Sequence, residues 1–168
     1  ATEHDSYFAY CLSSASYEAD MYDYDRGNSQ SVRLVKDIEG GGATPDTPDT
    51  PTEPEEPENT ENVHEYVDLG LSVKWATCNV GAATSEHFGN TYYWGSTSPY
   101  IDYHSKDTPI NDAKIDDISG NPKYDPATVA WGKEWRMPTL EQFKELMFNC
   151  TWEWTTLGRL NGFKVISK

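Results

Sequence analysis

The chain of 168 residues is poor in basic side chains and in cysteine, and it has no long apolar run. Its 13 Lys and Arg stand against 28 Asp and Glu, and the net charge of −15 repels phosphate. This balance excludes nucleic-acid binding through a basic face and disfavours docking on anionic lipid. No run approaches the roughly 18 apolar residues that cross a bilayer, so membrane insertion is not expected. The three cysteines lack the CxxC spacing of structural zinc sites.

A proline-rich, acidic segment divides the chain at residues 40–62. Its core, PDTPDTPTEPEEPE, repeats proline at every third position from Pro45 to Pro57, and the segment holds seven acids and no base. Polyproline II has three residues per turn, so these prolines share one edge, and residues 45–57 would span roughly 40 Å at about 3.1 Å each. The sequence predicts a stiff, solvated linker between residues 1–39 and 63–168.

Residues 1–39 have the alternation of β-strands. The period of two runs over Phe8–Leu12 and over Met21–Asp25. It returns over Ser31–Val35, after the turn signal Arg26-Gly27-Asn28. We expect Met21–Asp25 and Ser31–Val35 to pair as a β-hairpin.

Residues 63–168 combine short strands with one helix. YVDLGLSVKW predicts a hairpin that bends near Gly70, TYYWG and GFKVIS predict strands, and residues 98–127 predict a long surface loop. The helix is expected over residues 139–149, because Thr139 and Gln142 fit a capping box and the apolar residues that follow share one face. The four histidines have no shared metal-binding spacing and are expected at the surface or in loops. The six tryptophans are assigned mainly to the core: Trp75, Trp94, Trp131, Trp135, Trp152 and Trp154.

Three motifs occur in order in the second piece: VDLGLSVKWATCNVGA, GNTYYWGS and WGKEWRMPTLEQFKELM. They resemble the Fibrobacter succinogenes major paralogous domain of exported Bacteroidota and Fibrobacterota proteins. That domain is similar to the formylglycine-generating-enzyme type of C-type-lectin-like fold. The resemblance therefore implies an α+β chain with a C-type-lectin-like architecture of twisted antiparallel sheets, one clear helix and long loops, at the cell surface or outside the cell.

The first piece resembles the end of the same family's domain, because its SVRLV looks like the closing strand. The chain would then contain the closing strands of one domain (1–39), the linker (40–62) and the opening part of a domain (63–168). A fragment of tandem repeats, a circular permutant and a subunit that exchanges strands between copies all fit this order. In each case the resemblance implies that Val32–Val35 pairs beside Tyr66–Trp75.

The formylglycine-generating relatives use two cysteines near the end of the domain, where this chain has Cys11 followed by serines. We therefore expect no enzymatic activity, with an oxidase of that type as a remote alternative. Export would permit a disulfide between Cys78 and Cys150, and two buried free thiols are the other interpretation.

Many C-type lectins use calcium to hold sugars, so the resemblance raises calcium as a candidate ligand. Asp23, Asp25 and Asn28 form a loose oxygen-ligand pattern, and Asp112, Asp116, Asp117 and Asp125 form a second acidic group. The sugar-binding tripeptides E-P-N and W-N-D do not occur. Turn chemistry accounts for Asp25–Asn28 without a metal, so no cofactor is expected and calcium is the alternative.

Exposed aromatic side chains favour binding as the function. Tyrosine on a rigid strand offers amphipathic contact area at low entropic cost. The predicted ligand-binding residues are Tyr7, Tyr10, Tyr17, Tyr22, Tyr24, Asp23, Asp25 and Asn28. The predicted function is non-catalytic binding or adhesion outside the cell, toward a glycan or protein ligand. The alternative is a filament or stalk subunit that binds other copies of itself by strand exchange.

Overall fold

The computed structural model describes residues 8–15, 18–25, 29–38, 64–100 and 117–168, and for the first two ranges it describes the backbone. In chain order the elements are β1 (Phe8–Ala15), β2 (Glu18–Asp25), β3 (Gln30–Ser31), β4 (Arg33–Asp37), β5 (Tyr66–Val67), β6 (Val73–Asn79), β7 (Thr91–Tyr92), α1 (Pro126–Trp131), β8 (Trp135–Arg136), α2 (Leu140–Asn149), β9 (Cys150–Leu157) and β10 (Leu160–Ser167). The predicted linker lies outside these ranges.

The largest sheet has four strands in the order β5-β6-β4-β8, and each neighbouring pair is antiparallel. Strand β4 has a partner on both edges: Val35 lies opposite Trp75 of β6 and opposite Arg136 of β8. The expected pairing of Val32–Val35 with Tyr66–Trp75 is confirmed, and the structure forms it within one chain.

Strand β4 also has core on both faces, because Leu34 and Val35 belong to different clusters and neither side chain is exposed. A strand buried on both faces usually has an apolar run in its sequence, and SVRLV has one that only Arg33 interrupts. The cluster around Leu34 consists of Val32, Leu34, Ala76, Val80, Tyr92, Ala127 and Trp135. The cluster around Val35 consists of Val35, Leu69, Leu71, Val73, Trp75, Leu146 and Cys150.

The predicted hairpin between Met21–Asp25 and Ser31–Val35 is wrong. Strand β2 pairs with β1 over its whole length, from Phe8 opposite Asp25 to Ala15 opposite Glu18. Strand β4 has no free edge for β2, since β6 and β8 occupy both. The short strand β3 pairs instead with β7.

The predicted helix is confirmed as α2. Its N-cap is Thr139, whose side chain accepts a hydrogen bond from the main-chain N–H of Gln142. The Gln142 side chain in turn accepts one from the main-chain N–H of Thr139 at 3.0 Å, which completes the capping box. Helix α1 was missed, because its first residues had been assigned to the long loop. Asp125 as N-cap followed by Pro126 at the first helical position is the local signal for it.

Strands β9 and β10 form a separate two-stranded hairpin. Gly158 and Arg159 make its two-residue turn, and their φ values of 57° and 86° are those of a type I′ turn, which suits the twist of paired strands. The described parts of the chain are thus a mixed α and β structure with antiparallel sheets and two helices. Neither of these helices combines the length and the apolar character that a membrane span requires.

Candidate binding cleft

An open cleft of about 1840 Å³ separates the β9–β10 hairpin from the main sheet. The hairpin supplies one wall, and the turn 81–88 that follows β6 contributes to the opposite one. The two walls approach each other at the hairpin tip, where a Cβ placed on Gly158 would lie 2.8 Å from a carboxylate oxygen of Glu86.

The hairpin wall is held at its base and exposed toward its tip. Trp152 and Val165 lie opposite each other in the register and pack against the cluster of Val35. The next pair on the same face of the hairpin is Trp154 and Phe163, whose rings meet edge to face with centroids 5.0 Å apart. The base of the hairpin is thus packed against the core, whereas its tip is exposed: the side chain of Leu157 is more than half exposed at the cleft.

The opposite wall is a hydrogen-bonded turn. The Thr84 hydroxyl lies 2.6 Å from Nδ1 of His87, and Asn79 donates from its side-chain amide to the main-chain carbonyl of Phe88 at 3.1 Å. Hydrogen bonds from its own main-chain N–H and from the Thr84 hydroxyl lower the pKa of the Glu86 carboxyl. These bonds hold the backbone while the Phe88 ring remains 70% exposed at the cleft.

A half-buried guanidinium lines the cleft near this turn. Arg33 of β4 donates to the main-chain carbonyls of Ala76 at 3.2 Å and Ser85 at 3.4 Å. Burial lowers the pKa of Arg33, and the neighbouring Cys78 acts in the opposite direction. No acidic side chain among the described residues forms a salt bridge with it. In a chain with a net charge of −15, the cleft thus contains a cationic group with spare donors.

Two further side chains that line the cleft carry nitrogen atoms able to hydrogen-bond a ligand. The buried indole Nε1 of Trp75 finds no hydrogen-bond acceptor among the described residues. His64 stacks on Trp131 with ring centroids 3.6 Å apart and an interplanar angle of 5°. Desolvation lowers the pKa of His64. His64 thus lies in the loop before β5, where its ring is partly covered by Trp131.

The predicted tyrosine site does not coincide with this cleft. Tyr7, Tyr17 and Asn28 lie outside the described residues. The register of β1 and β2 places Tyr10 opposite Asp23, and it places Tyr22 and Tyr24 opposite Cys11 and Ala9. Neighbouring positions alternate between the faces of a strand pair. Tyr10, Asp23 and Asp25 therefore belong to one face of this hairpin, and Tyr22 and Tyr24 to the other.

The acidic group considered for calcium divides between a structural role and an exposed turn. Asp125 is fully buried, and its carboxylate accepts hydrogen bonds from the main chain at the start of α1 and from the main-chain N–H groups of Gly120 and Met137. Asp117 accepts one from the N–H of Ser119 in an exposed turn. Asp112 and Asp116 lie outside the described ranges. Within those ranges no three His, Cys, Asp or Glu side chains are grouped as a metal site would require.

The proposed disulfide is not formed, since Cys78 and Cys150 are both free. Cys150 belongs to the cluster of Val35. Cys78 lies two residues after Ala76 in β6, so it shares the face of the sheet that carries the Leu34 cluster. The main sheet therefore separates the two thiols. Desolvation raises the pKa of Cys150, with a smaller opposing effect of Lys168.

The cleft was not predicted from the sequence, and the tryptophans were expected mainly in the core. Trp75, Trp94 and Trp135 are buried as predicted, but Trp154 is 40% exposed. The signal for an exposed hairpin was present: Trp152 and Trp154 alternate with polar residues, and Gly158 marks the turn before an equally long strand.

Comparison of the chain with protein-family models, with curated proteins and with solved structures finds no match in any of the three. The family resemblance therefore stands on the three quoted motifs and on the closing strand.

Proposed function

We propose that the chain is a non-catalytic binding module that acts outside the cell on a C-type-lectin-like scaffold. It takes up part of a glycan or protein ligand in the cleft between the β9–β10 hairpin and the main sheet. The tyrosine-rich β1–β2 hairpin is a second contact surface in this proposal, through Tyr22 and Tyr24 on one face. No cofactor takes part.

The observation that carries this proposal is the composition of the cleft walls. Phe88 and Leu157 both line the cleft with exposed apolar side chains, and a ligand that contacts both removes apolar surface from water. Arg33 adds a half-buried cation whose fork of donors suits carboxylate or hydroxyl oxygens. An apolar cleft with a few convergent polar groups is the usual form of a ligand site.

A binding survey of the full chain on glycan and extracellular-matrix protein arrays tests the proposal. The chain contains a matched pair of exposed phenylalanines: Phe88 lines the cleft and is 70% exposed, whereas Phe148 on α2 lies away from it and is 71% exposed. We expect Phe88→Ser to weaken binding of the selected ligand about tenfold or more, as the loss of a central aromatic contact does. Phe148→Ser should leave binding unchanged.

Two results would contradict the proposal. One is the absence of any ligand that competes at micromolar concentration. The other is equal weakening by both substitutions, which would trace the effect to general surface hydrophobicity instead of the cleft. A tyrosine-surface variant, Tyr22→Ser with Tyr24→Ser, separately measures the contribution of the β1–β2 hairpin.

A further inference from the structure

We infer that a cluster of lysine and aromatic side chains on the main sheet is a second ligand site, which takes a sugar residue that carries one carboxylate. This lysine patch consists of Lys36 of β4, Lys74 of β6, Tyr66 of β5 and Trp135 of β8. None of these four side chains lines the cleft. The inference therefore goes beyond the cleft of the proposed function and does not depend on it.

The register of the main sheet places the lysine patch on one face. Lys36 lies opposite Lys74 on one side and opposite Trp135 on the other. Tyr66 lies opposite Ala76, which follows Lys74 by two residues along β6 and so shares its face. Because facing residues of neighbouring strands carry their side chains on the same face, the patch extends across all four strands of the sheet.

Both ammonium groups of the patch lie against one aromatic ring. Nζ of Lys74 is 4.6 Å from the centroid of the Tyr66 ring, and Nζ of Lys36 is 5.2 Å from it. Lys36 also lies 5.7 Å from the centroid of the buried Trp135 ring. Each distance is within the roughly 6 Å of a cation–π contact. The rings thus hold two positive charges side by side, while Tyr66 itself remains 45% exposed.

The described part of the chain does not neutralise these two charges. Like charges that face each other across a strand pair destabilise a sheet, and β4 and β6 are inner strands, where protection of a sheet edge does not account for lysine. Lys74 forms no salt bridge with an acidic side chain of the described residues. Lys36 has Glu134 at 3.6 Å, but 71% of that side chain is exposed, and exposed pairs contribute little. In a chain with a net charge of −15, the patch is a concentrated positive site that an anion complements.

The ligand that fits the patch is a pyranose ring with a single carboxylate, which is the chemistry of a uronic acid. The carboxylate accepts hydrogen bonds from both ammonium groups, and such charge-assisted bonds are the strong ones. The exposed part of the Tyr66 ring offers apolar surface to the CH groups of the sugar, and its hydroxyl offers a polar end to a sugar oxygen. The net charge of −15 repels a polyanion, whereas a single carboxylate is screened from charges farther away than about 8 Å at physiological ionic strength.

NMR titration of the full, ¹⁵N-labelled chain with cellobiouronic acid, a disaccharide with one carboxylate, tests the inference. Cellobiose is the matched sugar without the carboxylate, and N-acetyl-glutamate amide supplies a carboxylate without the sugar ring. We expect cellobiouronic acid to shift the amide signals of Tyr66 and Lys74 and to bind at least about tenfold more tightly than either control. Equal binding of either control, or no binding of cellobiouronic acid, would overturn the inference. Shifts confined to cleft residues such as Phe88 would also overturn it, and would support the cleft instead.

Substitution of one lysine is the second measurement. Lys74→Gln should weaken the binding of cellobiouronic acid about tenfold, the usual effect of one charge-assisted hydrogen bond, and Lys74→Arg, which keeps the charge, should retain most of it. The matched control is Lys123→Gln, because Lys123 lies 5.0 Å from the centroid of the Tyr124 ring but outside the main sheet. Equal weakening by Lys74→Gln and Lys123→Gln would trace the effect to net charge and would overturn the inference.

Discussion

Replacement of Asp125 by alanine is expected to be among the most destabilising single changes in this protein. The side chain is 0% exposed, and both of its oxygens are occupied. Oδ1 accepts from the main-chain N–H groups of Ala127 at 2.8 Å and Thr128 at 3.3 Å. Oδ2 accepts from those of Gly120 at 2.7 Å and Met137 at 2.9 Å. One carboxylate thus joins α1, the turn before it and the strand connection after β8.

The expected cost follows from the groups that lose a partner. Loss of a helix N-cap costs about 1 kcal/mol, and each buried N–H left unpaired costs about 1–3 kcal/mol. Water reaches the partly buried N–H groups of Gly120 and Met137 after truncation, so we take the lower part of that range. Asp125→Ala should lower the free energy of unfolding by about 3–5 kcal/mol. Asp125→Asn keeps the cap through its oxygen but turns an amide NH2 donor toward the N–H groups of Gly120 and Met137, so it should cost about 2–4 kcal/mol.

Urea unfolding followed by tryptophan fluorescence measures the change. The matched control is Asp117→Ala, because that exposed carboxylate accepts one main-chain hydrogen bond, from Ser119; we expect a loss below about 1 kcal/mol. Equal effects at Asp117 and Asp125 would refute the reasoning, since they would show that the four buried contacts contribute no more than one exposed contact. If Asp125→Ala does not fold, Asp125→Asn supplies the comparison.

Three further predictions concern a glycine, a histidine and a cysteine. Gly89→Ala should lower the free energy of unfolding in urea by about 3–5 kcal/mol, because its Cβ would lie 2.3 Å from the carbonyl oxygen of Val80 at a φ of +68°. The control Gly70→Ala has a similar φ of +71° but open space around it, and should lower the free energy of unfolding by about 1–2 kcal/mol. Burial lowers the pKa of His64 below its ordinary value of 6.5. The contribution of this group to the free energy of unfolding should be complete above that pH and decrease below it, because the unfolded chain binds the proton first. His64→Gln should flatten this part of the profile of unfolding free energy against pH, and an unchanged profile would contradict the assignment. Because desolvation raises the pKa of Cys150, iodoacetamide should label it at pH 8 at least about tenfold more slowly in the native chain than in urea, as followed by mass spectrometry; equal rates would show an accessible thiolate.

Local patterns were sufficient where neighbours in the sequence are also the partners. Helix α2 begins at its capping box, since Thr139 and Gln142 satisfy each other's main-chain groups within one turn. The bend near Gly70 joins β5 to β6 for the same reason. The pairing of β4 with β6 is different, because the two are separated by the linker; it was anticipated from the family resemblance and not from any local signal.

The errors occurred where a partner is chosen by competition between distant segments. Met21–Asp25 has the alternation of a strand, but alternation does not determine which strand it pairs with. Both edges of β4 are paired with β6 and β8, so β2 pairs with β1. Likewise Trp154 has the apolar character of a core residue, but the direction in which the β9–β10 hairpin leaves α2 exposes it.

The amino-acid sequence by itself determined most of the elements, through capping side chains, turn residues and the period of apolar positions, and it determined the large negative net charge. Tertiary structure alone decided that Leu34 and Val35 complete two separate clusters, that Arg33 lies half-buried at a cleft, and that Cys78 and Cys150 are kept apart. The physical reason is range: hydrogen bonds within a turn are encoded by adjacent residues, whereas burial depends on which distant surfaces meet.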